Sequence, residues 1–384
     1  MSSRLPPSDS GLTRAIIDLD AIARNYRSLR DRVSPRPVFA VVKADAYGHG
    51  AAAVARRLER EGADRFAVAN TDEGVALRRC GVVGEVLLLS CAEPEELPRQ
   101  HAYGLTPTLY DAAQAKAVVA AAERLSGALR VHLELDTGMG RAGIRPEELD
   151  PILDLFRRGR RAQIAGTFAN LSSADDPGSP ATARQIEILR GCVTRMRDAG
   201  VAPGLVHLAN SAGVLAHPET WFDAVRPGLA LYGVPPAAAA ASVAAPDLAP
   251  AMTVATRVVG ARRVPAGTPL GYGGRFVTAR PTTVAVLPIG YHDGFRRSFS
   301  GTVTVLLRGR KAPVVGSISM DVTLVDATET GAERGDRVTC LGRDGDAVVS
   351  AWDLARAAGT IPYEILCGFG PRVRRTYTGE GAGA

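Results

Sequence analysis

Short apolar segments alternate with helical segments between residues 14 and 234, and this order constrains the fold more than any other feature. Their near-continuous apolar character is typical of parallel strands, which are buried on both faces. The stretches between them have the 3.6-residue apolar spacing of helices, with glycine at their ends. A count of eight strands favours a closed (β/α)8 TIM-like barrel over an open sheet. The predicted strands are VFAVVK (38–43), RFAVA (65–69), EVLLLS (85–90), LTPTL (105–109), LRVHLEL (129–135), QIAGTFA (163–169), LVHLA (205–209) and DAVRPG (223–228).

The composition changes near residue 250, where valine-rich runs at 8–12 residue spacing indicate a second, mostly β domain. These runs include MTVATRVVGARRV, TTVAVLPIGY, TVTVLLRG, APVVGSISMDVTLVD, DRVTCLG and AVVSAWDL. The fold class is therefore α/β, an N-terminal barrel followed by a C-terminal β domain. We predict a disordered tail at 1–11, the barrel at 12–240, a linker at 241–250 and the β domain at 251–384.

Charge and cysteine usage exclude several classes of protein. The net charge is +6, but the arginines are scattered among acidic residues, which predicts a solvated surface and no nucleic-acid binding. Five widely spread cysteines without a C-x-x-C pair indicate reduced thiols, and no metal-binding spacing is present. Because no run approaches the roughly 18 apolar residues of a membrane span, we expect a cytoplasmic protein that does not bind membranes.

Lys43 is unusual because the 46 basic residues include only three lysines, the others being Lys116 and Lys311. It ends the first predicted barrel strand, and the carboxyl ends of the strands form the catalytic rim of such barrels. Lysine, unlike arginine, can lose its proton and form an imine with a cofactor aldehyde. Considered alone, this position favours equally a lysine that has no chemical role and only extends from the strand end into water.

Eight motifs in order extend this reading: Lys43 with ADAYGHG, DTGMGRAG (136–143), HLANSAG (207–213), VRPGLALYG (225–233), GYGG (271–274), IGYHDG (289–294), SMD (319–321) and PYEIL (362–366). Together they resemble the alanine racemases, which use pyridoxal 5'-phosphate (PLP). The resemblance implies racemisation of L-alanine and D-alanine, which supplies D-alanine for peptidoglycan. It also implies a homodimer with shared active sites, and pairing of residues 13–18 into the C-terminal domain.

By this resemblance two residues are catalytic. Lys43 binds the cofactor covalently and moves a proton on one face of the substrate Cα. Tyr272 of the partner subunit serves the opposite face. A phenol, with a pKa of about 10, suits so weak a carbon acid once its surroundings tune it.

The resemblance also assigns the cofactor-binding residues. Arg226 faces the pyridine nitrogen, and because arginine keeps its proton, that nitrogen stays unprotonated. Tyr47 contacts the phosphate, and Asn210, Ser211 and Gly228 form a phosphate cradle. The remaining cofactor-binding residues are Arg141, Asn170 and Tyr363.

Arg141, Met320 and Tyr291 are the substrate-binding residues that the resemblance implies, and Tyr363 narrows the entrance. Glu134 and Asp321 are supporting residues. Many relatives carry a carbamylated lysine at the position of Glu134. We hypothesise that Glu134 supplies the same negative charge and holds Arg141 without modification.

The sequence departs from the family pattern at three positions that the resemblance places near the cofactor and the entrance to the active site. Asn170 replaces a histidine, Ser317 an arginine at the entrance, and Ser319 a cysteine. Two alternatives therefore stay open beside alanine racemase: a racemase for another small amino acid, such as serine or a biosynthetic intermediate, and a weakly active PLP-binding regulator.

Overall fold

The computed structural model describes residues 11–91, 93–159, 161–176, 178–236 and 247–380. The chain forms two compact units. The barrel unit comprises residues 21–46 and 51–249, and the β unit comprises residues up to 20, 47–50 and those from 250 onward. Most of the predicted tail and linker, namely residues 1–10 and 241–246, lies outside the described residues.

A parallel sheet of seven strands forms the barrel unit, and its strands are adjacent in chain order. Strands are numbered along the chain, with β1 (Arg14–Asp18) in the β unit. The barrel strands are β2 (Ala40–Val41), β3 (Arg65–Val68), β4 (Glu85–Cys91), β5 (Leu105–Leu109), β6 (Leu129–Glu134), β7 (Ala162–Phe168) and β8 (Leu205–His207).

The eighth predicted strand exists only as isolated bridges. Ala224 pairs with His207 of β8, and Val225 pairs with Val38 immediately before β2. The Phe39 N–H also donates to the Val225 carbonyl at 2.8 Å. The Pro227 carbonyl still accepts from the Val41 N–H at 3.1 Å, but Pro227 has no N–H to donate back, so no further bridge to β2 forms there. The predicted barrel class is confirmed, with seven strands in the sheet rather than eight.

Helices pack their apolar stripes against this sheet. In the longest one, Ile186, Leu189, Val193 and Met196 recur at helical spacing and are buried in one apolar cluster. The helices before residue 236 are α1 (Leu19–Val33), α2 (Lys43–Gly48), α3 (Ala51–Arg60), α4 (Thr71–Arg79), α5 (Leu97–Ala102), α6 (Ala112–Ala122), α7 (Leu149–Arg158), α8 (Ala181–Asp198) and α9 (Ser211–Ala216), with 3-10 turns at Pro146–Glu148, Pro218–Thr220 and Leu229–Tyr232. No helix in the described ranges has the length and apolar character needed to cross a membrane.

The β unit is built on one large, mostly antiparallel sheet. Its strands are β9 (Met252–Arg257), β10 (Gly260–Val264), β13 (Thr282–Leu287), β14 (Thr304–Leu307), β15 (Arg310–Val315), β16 (Thr323–Asp326), β17 (Arg337–Asp344), β18 (Ala347–Val349) and β19 (Arg374–Thr378), with β11 (Pro269–Leu270) and β12 (Phe276–Val277) as a separate pair. The N-terminal strand β1 lies in the large sheet, antiparallel to β9 and parallel to β19.

Helices and 3-10 turns punctuate this unit: α10 (Ala351–Ala358), α11 (Pro362–Cys367), Tyr272–Gly274, Tyr291–Asp293 and Arg297–Phe299. Helix α10 occupies the end of the run AVVSAWDL, which we had included among the β segments. The Ser350 hydroxyl accepts from the Asp353 N–H, and the Asp353 carboxylate accepts from the Ser350 N–H. This capping box favours a helix start at residue 351.

Candidate active site

Lys43 lies two residues beyond the end of strand β2, at the start of α2. Residues Ala44 to Tyr47 all have φ between 51° and 54°, so α2 is a left-handed turn. Each such non-glycine residue costs roughly 1–2 kcal/mol. Side chains hold the turn: Glu73 accepts from the Ala44 N–H at 2.8 Å, and Asp45 accepts from the Ala51 N–H at 2.7 Å. Stored backbone strain of this kind is typical of functional sites.

We expect Ala44→Val to lower the free energy of unfolding by about 1 kcal/mol, because a β-branched side chain tolerates a positive φ poorly. Ala44 is exposed, so the added methyl groups meet no core packing. Ala44→Gly is the matched control and should unfold at the same or a higher urea concentration, since glycine adopts this φ freely. Equal midpoints for the valine and glycine variants would contradict a strained turn.

The amine of Lys43 is tuned toward its neutral form. Burial lowers the pKa of Lys43, and the positive charges of Arg141 and Arg226 lower it further, while Glu73 and Glu134 oppose the shift. A lysine with a depressed pKa is a better nucleophile and base at neutral pH. These mutual interactions show that four of the predicted site residues lie in one region of the barrel unit: Lys43, Arg141, Arg226 and Glu134.

Arg226 is a buried cation held by neutral groups. Its Nη1 donates to the His207 carbonyl at 3.0 Å, and its Nη2 donates to the Ala169 carbonyl at 2.8 Å. The guanidinium carbon lies 4.7 Å from the centroid of the Phe168 ring. Burial lowers the pKa of Arg226 to about 10, so the side chain still carries its charge at neutral pH.

Asn170 connects Arg226 to Glu134. Its Oδ1 accepts from Arg226 Nη2 at 3.1 Å, and its Nδ2 donates to Glu134 Oε1 at 2.6 Å. Burial raises the pKa of Glu134, while Asn170, Arg226 and Arg141 act against that rise. An asparagine, which offers a donor and an acceptor, therefore bridges a cation and a carboxylate here.

Arg141 approaches the same carboxylate from a tight loop. Arg141 Nη2 lies 3.8 Å from Glu134 Oε1, an ion-pair contact rather than a hydrogen bond, and the Arg141 side chain is 59% exposed. In the DTGMGRAG loop, Asp136 Oδ1 accepts from three successive N–H groups at 3.0 Å. A Cβ on Gly143 would lie 2.8 Å from the Asp136 nitrogen, so the loop needs glycine there.

The segments that follow β8 bring Asn210, Ser211 and Gly228 close together. Ser211 Oγ accepts from the N–H groups of Gly228 at 2.9 Å and Ala230 at 3.2 Å. Asn210 caps α9 by accepting from the Gly213 N–H. Because both acceptor positions of the Ser211 hydroxyl are used, its own proton remains to be donated, and this fits an anionic acceptor such as phosphate.

The β unit contains the other predicted residues. The rings of Tyr47 and Tyr363 lie 5.6 Å apart, and burial raises the pKa of Tyr47 strongly. Tyr272, Tyr291 and Met320 are exposed by 71%, 40% and 51%. The His292 N–H donates to the Met320 carbonyl, so Tyr291 and Met320 lie on adjoining backbone, and neighbouring exposed side chains of this size are typical of surfaces that meet another molecule.

Backbone and ionic contacts fix the segments that carry these exposed residues. Ser317 Oγ donates to the Tyr272 carbonyl at 3.2 Å, and the Tyr291 N–H donates to the Ser319 carbonyl at 3.0 Å. Asp321 Oδ1 accepts from Arg372 Nη1 at 2.8 Å. Asp321 thus anchors the loop next to Met320.

His207 and His132 are site residues that the sequence analysis missed. Arg226 Nη1 lies 2.6 Å from His207 Nδ1, and His207 Nε2 lies 3.0 Å from His132 Nδ1. Both rings are fully buried. Their signal in the sequence is a histidine inside an apolar strand, in RVHLEL and LVHLAN. A search for metal-ligand spacing does not register such isolated histidines. Within the described ranges, no group of three or more acidic, histidine or cysteine residues could hold a metal ion.

Comparisons with known proteins cover nearly the whole chain. Residues 17–236 match the family model "Alanine racemase, N-terminal domain", and residues 251–377 match "Alanine racemase, C-terminal domain". The alanine racemase of Symbiobacterium thermophilum is 42% identical over 373 residues, which are 96% of this chain and 98% of that protein.

Solved structures agree. The alanine racemase of Bacillus anthracis with bound L-Ala-P has a TM-score of 0.91 at 30% identity, covering 97% of each chain. That of Bartonella henselae, with covalently bound pyridoxal phosphate, has a TM-score of 0.87 at 31% identity, covering 96% of this chain and 100% of the other. The resemblance read from the eight motifs is confirmed: the chain belongs to the alanine racemase family.

Proposed function

We propose that this protein interconverts L-alanine and D-alanine with PLP by a two-base mechanism, and that it supplies D-alanine for peptidoglycan. The observation that carries the proposal is the cluster around Lys43: a lysine of depressed pKa with two arginines and two carboxylates around it, in which contacts through Asn170 and Glu134 connect Arg226 to Arg141. Because the chain belongs to the alanine racemase family, we assign this cluster to racemisation.

The residues of the barrel unit fit PLP. Lys43 would hold its aldehyde carbon, and Ser211, Asn210 and Gly228 would hold its phosphate. The family resemblance, rather than the barrel unit, adds Tyr47 and Tyr363 as further contacts. The described hydrogen-bond partners of the buried Arg226 guanidinium are all neutral, which suits an arginine that meets an unprotonated ring nitrogen. When bound, PLP supplies an electron sink that acidifies the Cα–H bond of an amino acid.

The chain's own groups then bind substrate and move protons. Arg141 binds the substrate carboxylate through its guanidinium fork, with the Met320 N–H of the partner subunit as a further donor. Lys43 takes or gives a proton on one face of Cα, and the hydroxyl of Tyr272 of the partner subunit does so on the other. Tyr291 and Tyr363 narrow the entrance. The exposure of Tyr272, Tyr291 and Met320 supports a site shared between two copies of the chain.

Exchange of the Cα hydrogen in heavy water tests the substrate. The protein is incubated with PLP and a panel of L-amino acids, and deuteration at Cα and chirality are followed by NMR and chiral chromatography. We expect fast exchange and racemisation with alanine. Preference for serine or another small side chain would replace alanine as the substrate. Silence across the panel would indicate a PLP-binding regulator and contradict the proposed reaction.

Glu134→Gln tests whether the Glu134 carboxylate holds Arg141. We expect the KM for alanine to rise about tenfold with a smaller change in kcat, because the amide keeps the shape but loses the charge that orients the guanidinium. Glu148→Gln is the matched control, because Glu148 is a half-buried carboxylate that pairs with another arginine, Arg145. An unchanged KM in Glu134→Gln would show that Arg141 needs no anionic partner here.

A further inference from the structure

A line of buried polar side chains runs from Arg226 toward the amino ends of the barrel strands. It passes through His207 at the end of β8 and His132 in the middle of β6. It ends at Glu85, the first residue of β4, which is at the opposite end of its strand from the catalytic rim. Nothing in the mechanism above uses His132 or Glu85.

The direction of each hydrogen bond in this line is fixed by Arg226. A guanidinium has only donors, so His207 Nδ1, 2.6 Å from Arg226 Nη1, must accept. A neutral His207 then carries its proton on Nε2 and donates it to His132 Nδ1 at 3.0 Å. His132 must in turn carry its proton on Nε2, because an N–H on Nδ1 would face another N–H.

The surroundings keep both imidazoles neutral. Burial lowers the pKa of His132 to about 3, and the positive charges of Arg130 and Arg226 act in the same direction. Burial, Arg226 and His132 likewise lower the pKa of His207 far below its usual range. Phe39 and Phe168 stack on the His207 ring with centroids 5.1 and 5.0 Å away, which fixes its plane.

The line ends on a carboxylate that two arginines flank. His132 Nε2 lies 4.0 Å from Glu85 Oε1, and both atoms are buried without a hydrogen-bond partner among the described residues. A small side-chain rotation or one bridging water closes such a distance. Arg130 Nη2 lies 3.3 Å from Glu85 Oε1, and Arg65 Nε lies 3.5 Å from Glu85 Oε2.

Gly166 makes the position of His132 possible. Gly166 is opposite His132 in the β6–β7 ladder, and a Cβ on it would lie 2.4 to 2.8 Å from three atoms of the imidazole ring. Real Cβ contacts of that length do not occur, so a side chain at 166 would displace the ring. The backbone is therefore shaped to admit His132.

We infer that His132 and Glu85 are positioning residues: His132 accepts the Nε2–H of His207, Glu85 faces the Nε2–H of His132, and together they hold the His207 ring where its Nδ1 orients the Arg226 guanidinium. Every proton in this line points away from Arg226 and toward Glu85, because the proton position on one ring dictates the proton position on the next. The value of this for catalysis rests on the proposed function, in which Arg226 faces the cofactor ring. The tautomers themselves do not depend on which amino acid is the substrate.

NMR of the cofactor-loaded protein with 15N-labelled histidine tests the inference directly. We expect His207 and His132 to be neutral and protonated on Nε2 between pH 6 and 8. A proton on Nδ1 of either ring, or a charged ring, would overturn the inference. Because this readout needs no turnover, it stands or fails separately from the alanine panel.

Variants then test the consequence for Arg226. His132→Phe removes the acceptor of the His207 Nε2–H, and Glu85→Leu removes the carboxylate that the His132 Nε2–H faces. Gly166→Ala displaces the His132 ring without removing a polar group. In each we expect a changed absorption band of bound PLP and a kcat lowered on the order of tenfold, with little change in KM. Glu85→Gln and His132→Asn keep an acceptor oxygen and should restore most of both properties.

His101→Phe is the matched control, because His101 lies outside this line and contacts only the Ser126 carbonyl among its described partners. It should leave the absorption band and kcat unchanged. If His132→Phe does not fold, Glu85→Leu and Gly166→Ala carry the test. Wild-type absorption and kcat in all the folded variants would overturn the positioning role, even if the proposed racemisation holds.

Discussion

Lys43→Ala and Tyr272→Phe are each expected to lose racemisation by about 10³-fold or more, because each removes one of the two groups that move the proton. A heterodimer of the two variants should nevertheless recover about half of the wild-type activity, since a symmetric shared arrangement leaves one of its two sites whole. The heterodimer can be isolated with two different affinity tags and assayed with alanine.

A second heterodimer controls for this result. A wild-type chain paired with a chain that carries both substitutions should be nearly inactive, because each shared site then lacks one group. If that heterodimer kept about half of the activity, each site would belong to one chain and the shared site would be wrong. Lys116→Ala removes an exposed lysine of helix α6 and should leave activity unchanged.

Gly290→Ala is expected to distort the backbone that carries the exposed residues Tyr291 and Met320 of the β unit. A Cβ at this position would lie 2.3 Å from the carbonyl oxygens of both Met320 and Ser319, which are backbone atoms and cannot rotate away. The same backbone also pairs there, since the Tyr291 N–H donates to Ser319 and the His292 N–H donates to Met320. We expect the free energy of unfolding to fall by about 2 kcal/mol or more, as in other overpacked sites.

Urea unfolding and the KM for alanine measure this effect, because the shifted backbone carries Tyr291 and Met320. Gly191→Ala is the matched control: Gly191 lies inside helix α8, and no atom would meet its Cβ within 4 Å. That substitution should stabilise the protein by up to about 1 kcal/mol. A wild-type unfolding midpoint for Gly290→Ala would contradict the proposed clash.

Much of the architecture could be predicted because local patterns carry it. The apolar runs at 65–69, 85–90 and 105–109 became strands β3, β4 and β5 with nearly the same bounds. The apolar pattern was not enough where a single proline or a capping residue changed the local secondary structure. Pro227 cannot donate to β2, which limits the pairing of the eighth segment on that side, and the Ser350–Asp353 capping box starts a helix where valines suggested a strand.

The sequence analysis proposes a set of site residues, but it could not predict the hydrogen bonds among them. Arg226, Asn170 and Glu134 were named as separate residues, and their positions in the sequence did not show that Asn170 bridges the other two. The left-handed turn after Lys43 could not be predicted either, because Ala44, Ala46 and Tyr47 are not residues that usually adopt a positive φ. Only surrounding structure can hold such a conformation.

Periodicity and ordered motifs are properties of neighbouring residues, so they were enough to predict the strand and helix order, the two-part organisation and the family. Which side chains hydrogen-bond to one another depends instead on how distant segments pack. Arg226 meets Asn170 across 56 positions of sequence, and His132 meets His207 across 75. Hydrogen bonds depend on distances of tenths of an ångström and on direction, and closed packing of the barrel sets both.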